Sequence, residues 1–280
     1  MATATKQNLT RSLPKTLLWF AMAAAALLVA FPLLWMFLSS FKTNEELFRI
    51  VPTILPENPS FAGYHHIFTQ MPFGRYFLNS LVVATATTIL AVLTSAIAGY
   101  IFAKFEFRGK NLLFIAILAS MMIPGTVMVV PRYIMVNWLG WIDTYWALII
   151  PQGITVFGIF LMRQYMHGIP SDYIDAARVD GMGEFGIFAQ IILPLCKPAL
   201  AALAILSFIG SWDALLWPLV AVSSDSMRTL PMGIAGLATV HSPSLPLMLP
   251  AATISVIPVI LVFAAFQRQF VNAMTSTGLK

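Results

Sequence analysis

Ile169-Pro170-Ser171-Asp172-Tyr173-Ile174-Asp175-Ala176-Ala177-Arg178-Val179-Asp180-Gly181, continuing to Ile191-Ile192-Leu193-Pro194, is a polar interruption between two long apolar runs, Tyr145–Met162 and Ala199–Val222. Ser171 stands where an N-cap is expected, with Asp172 and Asp175 in the first turn, where the helix dipole favours negative charge. Gly181 supplies a C-terminal stop. The pattern predicts a helix of about two turns, with Tyr173, Ala176, Ala177 and Asp180 on one face. A second short helix follows, with Phe185, Phe188, Ala189 and Ile192 at helical spacing and Pro194 ending it. Two such helices cannot bury their apolar faces alone. They need the membrane surface, their own bundle or a partner's groove, and the small side chains of Ala176 and Ala177 would let a partner approach closely.

Outward from this loop the chain is dominated by apolar sequence. Four more runs, Leu17–Ser40, Phe77–Ala103, Leu112–Val130 and Met248–Phe266, approach or exceed the roughly 20 residues a helix needs to cross the hydrocarbon core. The chain is 59% hydrophobic and 10% charged, far from the roughly one-quarter charged residues of soluble domains. Backbone groups in lipid must be paired within a helix or a closed barrel, and these runs lack the alternation of barrel strands. The reading is an all-α membrane protein with six transmembrane helices. Residues 1–16 form a cytoplasmic N-terminal tail, 17–267 the six-helix domain with its loop at 164–198, and 268–280 a cytoplasmic C-terminal tail. The run from Leu17 is long enough to span and no small-residue cleavage site follows it, so it reads as an uncleaved first helix.

Basic residues orient the spans. With the N-terminus inside, eleven of the sixteen Lys and Arg residues, including Lys104, Arg108, Lys110, Arg163, Arg178 and Lys197, fall on the cytoplasmic side. The net charge of +5 therefore reports topology and gives no reason to invoke nucleic acid. Tryptophans such as Trp19, Trp138, Trp146 and Trp217 fall near span ends, at the headgroup level. Pro32, Pro124, Pro151, Pro218 and Pro258 each delete a backbone hydrogen bond and tend to kink their helix. The segment from Lys42 to Tyr76 reads as an external, extended or partly helical surface loop.

Little of the sequence carries enzyme chemistry. No Gly-x-x-x-x-Gly-Lys-Ser/Thr phosphate loop, His-Glu-x-x-His or Gly-x-Ser-x-Gly occurs, so any ATP and magnesium must be bound by another subunit. His65-His66 lacks further ligands nearby, which leaves no metal site, and the single cysteine, Cys196, forms no intrachain disulfide. Asp213 is the one clear acid within an expected span, a placement costing about 2.5–3.5 kcal/mol at a helix centre. Two readings stay open for it: a polar contact on a translocation path, with Trp212 offering a ring face to a sugar, or a structural hydrogen bond to a neighbouring helix. An ion-coupled secondary transporter would need more intramembrane acids than this, and a polytopic membrane enzyme a nucleophile with its base.

The loop resembles the "EAA" loop of ABC-importer permeases, with Asp175-Ala176-Ala177, Asp180-Gly181 and Ile191-Ile192-Leu193-Pro194 in register. Asp175 stands where the family usually has Glu, and Met182 where a small residue is usual. The resemblance covers nearly the whole chain and is closest to the sugar-importer branch, with maltose-type and glycerol-phosphate-type permeases. It runs through Asn79-Ser80, Phe105 to Lys110, Met122-Ile123-Pro124, Phe157 to Leu161, Arg228 to Pro231 and Phe266-Gln267-Arg268. It implies a multi-pass permease of the bacterial inner membrane with both termini cytoplasmic. The implied partners are a homologous second permease chain, two cytosolic ATPase subunits and an extracytoplasmic solute-binding protein. Asp175, Ala176, Ala177, Asp180, Gly181, Ile191, Leu193 and Pro194 would dock the ATPase. Asn79, Trp212 and Asp213 are the candidate translocation path. Trp212-Asp213-Ala214 departs from the Trp-Asn-acidic pattern frequent in such subunits.

Overall fold

The computed structural model describes residues 15–239 and 245–277. Lys6, Arg11 and Lys280, which contribute to the expected topology, lie outside those residues, as do nearly all of the 1–16 tail and the end of the 268–280 tail. Every regular element among the described residues is helical. The first is α1 (Lys15–Ser39), followed by the short α2 (Asn44–Leu47) and α3 (Ala62–Thr69) and the long α4 (Phe73–Lys104). Next come α5 (Lys110–Ala119), α6 (Val129–Trp138), α7 (Tyr145–Ile149) and α8 (Val156–His167). The loop holds α9 (Asp172–Val179), α10 (Glu184–Ile187) and α11 (Leu193–Leu195). The chain closes with α12 (Lys197–Trp212), α13 (Leu216–Ala221), α14 (Leu230–Thr239) and α15 (Leu245–Thr277).

Among the described residues three helices are continuous, long and apolar enough to cross a membrane: Lys15–Ser39, Phe73–Lys104 and Leu245–Gln269. The other expected spans are interrupted. The third is helical from Lys110 to Met122, then opens before Pro124 and resumes as α6. The fourth bends by 41° between Gln152 and Val156. The fifth stops at Trp212 and restarts at Leu216. Of the five prolines read as kinks, Pro32 and Pro258 sit inside unbroken helices. Pro151 lies in a 3₁₀ turn just ahead of the 41° bend. Instead of stopping near residue 267, the last helix runs on to Thr277.

The bundle is built around α4. Its buried positions, among them Asn79, Val83, Thr87, Ala91, Ser95 and Gly99, recur at helical spacing and are mostly small. Small side chains let spanning helices pack backbone to backbone, where dispersion and hydrogen bonds replace the hydrophobic drive. Gly99 shows how close the approach is: a Cβ there would lie 2.6 Å from Met162 Cβ and 2.9 Å from the Arg163 nitrogen of α8. By contrast α1 shows its large apolar side chains, such as Leu28 and Val29, to its surroundings along nearly its whole length.

Candidate functional site: the loop from Asp172 to Leu195

The first short helix forms where expected and has the expected length. Ser171 takes the position before it, but in helical backbone conformation and without a side-chain cap hydrogen bond. The stop at Gly181 is explicit, at φ +82°, where an L side chain is strained. The Gly181 amide donates to the Arg178 carbonyl (3.0 Å) and the Met182 amide to that of Ala177 (2.9 Å). This pairing of the last carbonyls with the two residues after the cap is the glycine-dependent closure of a helix end.

The face of α9 differs from the expected one. Ile174 and Ala177 point inward, while Tyr173, Ala176 and Asp180 point out. Ala177 therefore packs inside its own chain rather than toward a partner. Its neighbours in that cluster are Tyr100 of α4, Met162 and Met166 of α8, and Ile187, Ile192 and Cys196. Met182, unusual for its position, lies against Gly186, whose added Cβ would come within 2.9 Å of Met182 Cγ.

Pro194 does not end the second short helix. A π turn over Phe188–Ile192 precedes it, loosening the i→i−4 ladder where a proline has no N–H to give. The change of direction comes at Cys196, where the segment from Glu184 to Leu195 meets α12 at 79°. The second helix thus lies across the end of the bundle. Ile191 and Leu193 pack half-buried against the cluster, Ile192 is fully buried and Pro194 is exposed.

Polar ties at this end are few: Lys104 Nζ donates to the Ile169 carbonyl, and the others run from Tyr100 out to the surface. Arg178 Nε donates to Glu184 (2.8 Å) and its Nη1 to Asp175 (3.4 Å). Tyr100 Oη donates to the other Glu184 oxygen (3.1 Å), joining the loop to α4. Hydrogen bonding to Glu184, reinforced by both acids, raises the Arg178 guanidinium further above its already high value. Asp175, in the family's glutamate position, reaches only its neighbour Arg178. What the loop leaves open to its surroundings is Tyr173, Val179 and Phe185, the last two more than 80% exposed.

The candidate path residues are brought together only in part. Asn79 is buried, its amide donating to the carbonyls of Ser226 (3.0 Å) and Arg228 (2.8 Å) and its oxygen accepting from Tyr145 Oη (2.7 Å). Trp212 is 2% exposed and packs against Phe77 and Phe208, and its Nε1 donates to the Ser255 carbonyl (3.0 Å). Little of its surface is open, and it borders the cavity that Asp213 also lines. Asp213 is exposed at the break after α12, beside a cavity also lined by Leu230 and Ser255. His66, on the exposed face of α3, pairs its Nδ1 with the Gln70 side-chain amide (2.9 Å) and stands edge-on to His65. Two buried contributors, Ile174 and Ile187, carry no signal in the sequence because their one-sided burial depends on α4 and α8.

A bundle of broken and continuous apolar helices, carrying a helical pair across one end, defines a polytopic membrane transport subunit. The sequence profile of the binding-protein-dependent transport system inner membrane component matches residues 91–276. The chain belongs to that family and is a permease component of an ABC importer. It is 36% identical over 267 residues to the arabinooligosaccharides transport system permease protein AraQ of Halalkalibacterium halodurans, covering 94% of this chain and 96% of that one. To the lactose transport system permease protein LacG of Rhizobium radiobacter it is 30% identical over 267 residues, covering 95% and 97%. Its fold is similar to a chain in the crystal structure of a bacterial ABC transporter that imports the acidic polysaccharide alginate. The TM-score there is 0.79 at 22% identity, covering 93% of this chain and all of the other.

Proposed function

We propose that this chain is one half of the membrane pathway of a sugar or oligosaccharide importer, with Asp172–Leu195 as the element that receives force from a cytosolic ATPase. Two ATPase subunits would bind ATP and magnesium below the membrane. A second, homologous permease would complete the pathway, and an extracytoplasmic binding protein would deliver the solute. The six-span reading then counts Lys110–Met122 as the core of the third span and each bent helix pair around residues 153 and 214 as one span. Both termini and the end holding Asp172–Leu195 would face the cytoplasm of a bacterial cell. The two named relatives belong to arabinooligosaccharide and lactose transport systems, which supports a sugar as the cargo.

The observation that carries this reading is the two-sidedness of the loop. One side is anchored in the bundle through Ile174, Ala177, Ile187 and Ile192, and the other presents Tyr173, Val179 and Phe185 to whatever lies beyond. ATP binding would close the ATPase pair, shift the loop and bias the bundle between two arrangements. Cysteine substitutions at Ala176 and Val179 should cross-link to the ATPase, whereas one at buried Ala177 should not. Equal cross-linking at all three, or none, would overturn the docking assignment. Membrane-impermeant thiol reagents on single-cysteine variants test the topology: a cysteine at Arg108 should react only from the cytoplasmic side.

A further inference from the structure

Loops outside a membrane ordinarily turn charged side chains to water and apolar ones inward. The connection from α1 to α3 does the reverse. Lys42 and Glu46 are both more than nine-tenths buried. Glu46 accepts from the Thr53 hydroxyl (2.6 Å) and the Glu57 amide (3.1 Å), and Lys42 Nζ donates to the Thr53 carbonyl. The Ser60 amide donates to the Phe41 carbonyl (2.8 Å), so the loop closes on its own start. Held from within by these polar ties, the loop turns Phe48, Ile50, Val51, Ile54 and Leu55 outward. All five are more than 60% exposed, and Ile50 is completely so.

The same ties fix the height of that apolar surface. The Lys42 ammonium that holds the Thr53 carbonyl also sits over the Trp35 ring, 4.7 Å from its centre. Residue 53 is thereby folded back beside α1 instead of standing away from it. Trp35 lies one turn before the end of α1 at Ser39, about 6 Å along the axis. Tryptophan at the end of an apolar span marks the headgroup level. Ile50, Val51, Ile54 and Leu55 flank Thr53 in the chain and so stand near that level, close above the exposed Phe31 and Leu34 of α1.

The chemistry of the surface separates lipid from protein as its cover. Protein interfaces draw most of their binding energy from Trp, Tyr and Arg, with Leu and Val under-represented. Residues 48–56 hold no Trp or Tyr, and their one Arg, Arg49, is already paired with Glu57 (2.8 Å). Insertion at the boundary between headgroups and acyl chains asks only for apolar area.

We propose that residues 48–55 form a shallow lipid anchor, with Ile50, Val51, Ile54 and Leu55 dipping into the outer leaflet beside the end of α1. The occupant of this surface is the phospholipid boundary itself. The contact sets the depth of the outer end of α1, a helix with few neighbours of its own. The inference rests on the orientation proposed above, which puts this loop outside.

The test uses the whole importer in liposomes of phosphatidylethanolamine and phosphatidylglycerol, with a nitroxide on Val51→Cys, Ile54→Cys or Glu45→Cys. All three positions are exposed, so the label displaces no packing, and Cys196 is fully buried and gives no competing signal. Oxygen concentrates in the bilayer, and a charge-neutral nickel chelate stays in water. The ratio of oxygen to chelate relaxation should be several-fold higher at Val51 and Ile54 than at Glu45, on the polar helix α2. Equal ratios at the three positions would overturn the anchor. Labels at Val51 and Ile54 shielded from oxygen and chelate alike would place a protein partner on the surface, and would overturn it equally. Failure of the orientation reads out separately. In spheroplasts a membrane-impermeant maleimide should modify Glu45→Cys from outside; a thiol modified only after lysis would overturn the topology, and with it the outer leaflet as host.

Discussion

The two ends of α4 hold on to the rest of the chain in different ways. Near its start, buried side chains grip a connection through its backbone: Asn79 holds the Ser226 and Arg228 carbonyls, Ser80 Oγ accepts from the Leu230 amide (2.7 Å), and Tyr76 donates to Asp225 (2.6 Å). Near its end, the loop is held by an apolar cluster, by Lys104 Nζ on the Ile169 carbonyl, and by a chain that runs from buried Tyr100 through Glu184 to Arg178 at the surface. Buried, fully used hydrogen bonds are costly to break singly and fix one geometry. Exposed ionic contacts contribute little and exchange readily with water. The helix is therefore clamped at one end and lightly tethered at the other, which suits a subunit whose loop must shift while the opposite end stays in register.

The contrast is most directly broken at the clamped end. Asn79→Leu strands the Arg228 carbonyl and the Tyr145 hydroxyl and leaves the Ser226 carbonyl to Arg75 Nε alone, and should cost about 2–4 kcal/mol of stability. The readout is a lower thermal-unfolding midpoint in detergent and less assembled complex, with transport per complex falling only as the fold fails. Gly181→Pro attacks the tethered end. Proline cannot adopt φ +82° and has no amide for the Arg178 carbonyl, so the helix closure is lost while α4 to α8 remain packed. Uptake should vanish while inserted permease, measured by immunoblot, stays near normal.

A smaller effect is expected for Tyr100→Phe, which deletes one partly exposed hydrogen bond and should cost about 1 kcal/mol or less. Its signature is kinetic, as less uptake per ATP hydrolysed, with little change in unfolding temperature. The smallest effect concerns acid. Arg178, and then Tyr100, hold the Glu184 carboxyl below its ordinary value. A lowered folded-state pKa means the tie contributes above the unfolded value and is lost as pH falls through the folded one. The protection factors of the α9 and α10 amides, with intrinsic exchange divided out, should therefore fall as pH drops through the folded-state value of that carboxyl. Glu184→Gln should remove that pH dependence.

The sequence was legible where the physics is local. Gly181 ends α9 because only glycine takes that φ at little cost, and a sequence shows that wherever it shows a glycine after a short amphipathic run. The all-helical membrane fold was equally readable, since long charge-free runs have few other solutions. The candidate path was not readable in the same way. Asp213 and Trp212 stand out in the sequence through charge and aromaticity, but that Trp212 is tied to a carbonyl 43 positions away and shares one cavity with Asp213 is visible only in the fold. The inward turn of Ala177 is likewise set by α4 and α8, not by its own helix.

The first helix has a consequence for biosynthesis. Its central stretch rests on almost nothing else in the chain, and its only fully buried residue is Ser39 at the very end. A segment that leans on α15 along only part of its length can enter the bilayer while residues beyond 40 are still being translated, with lipid around most of it. The tightly interlocked helices that follow must wait for one another before they can pack, so the order of translation becomes the order of assembly.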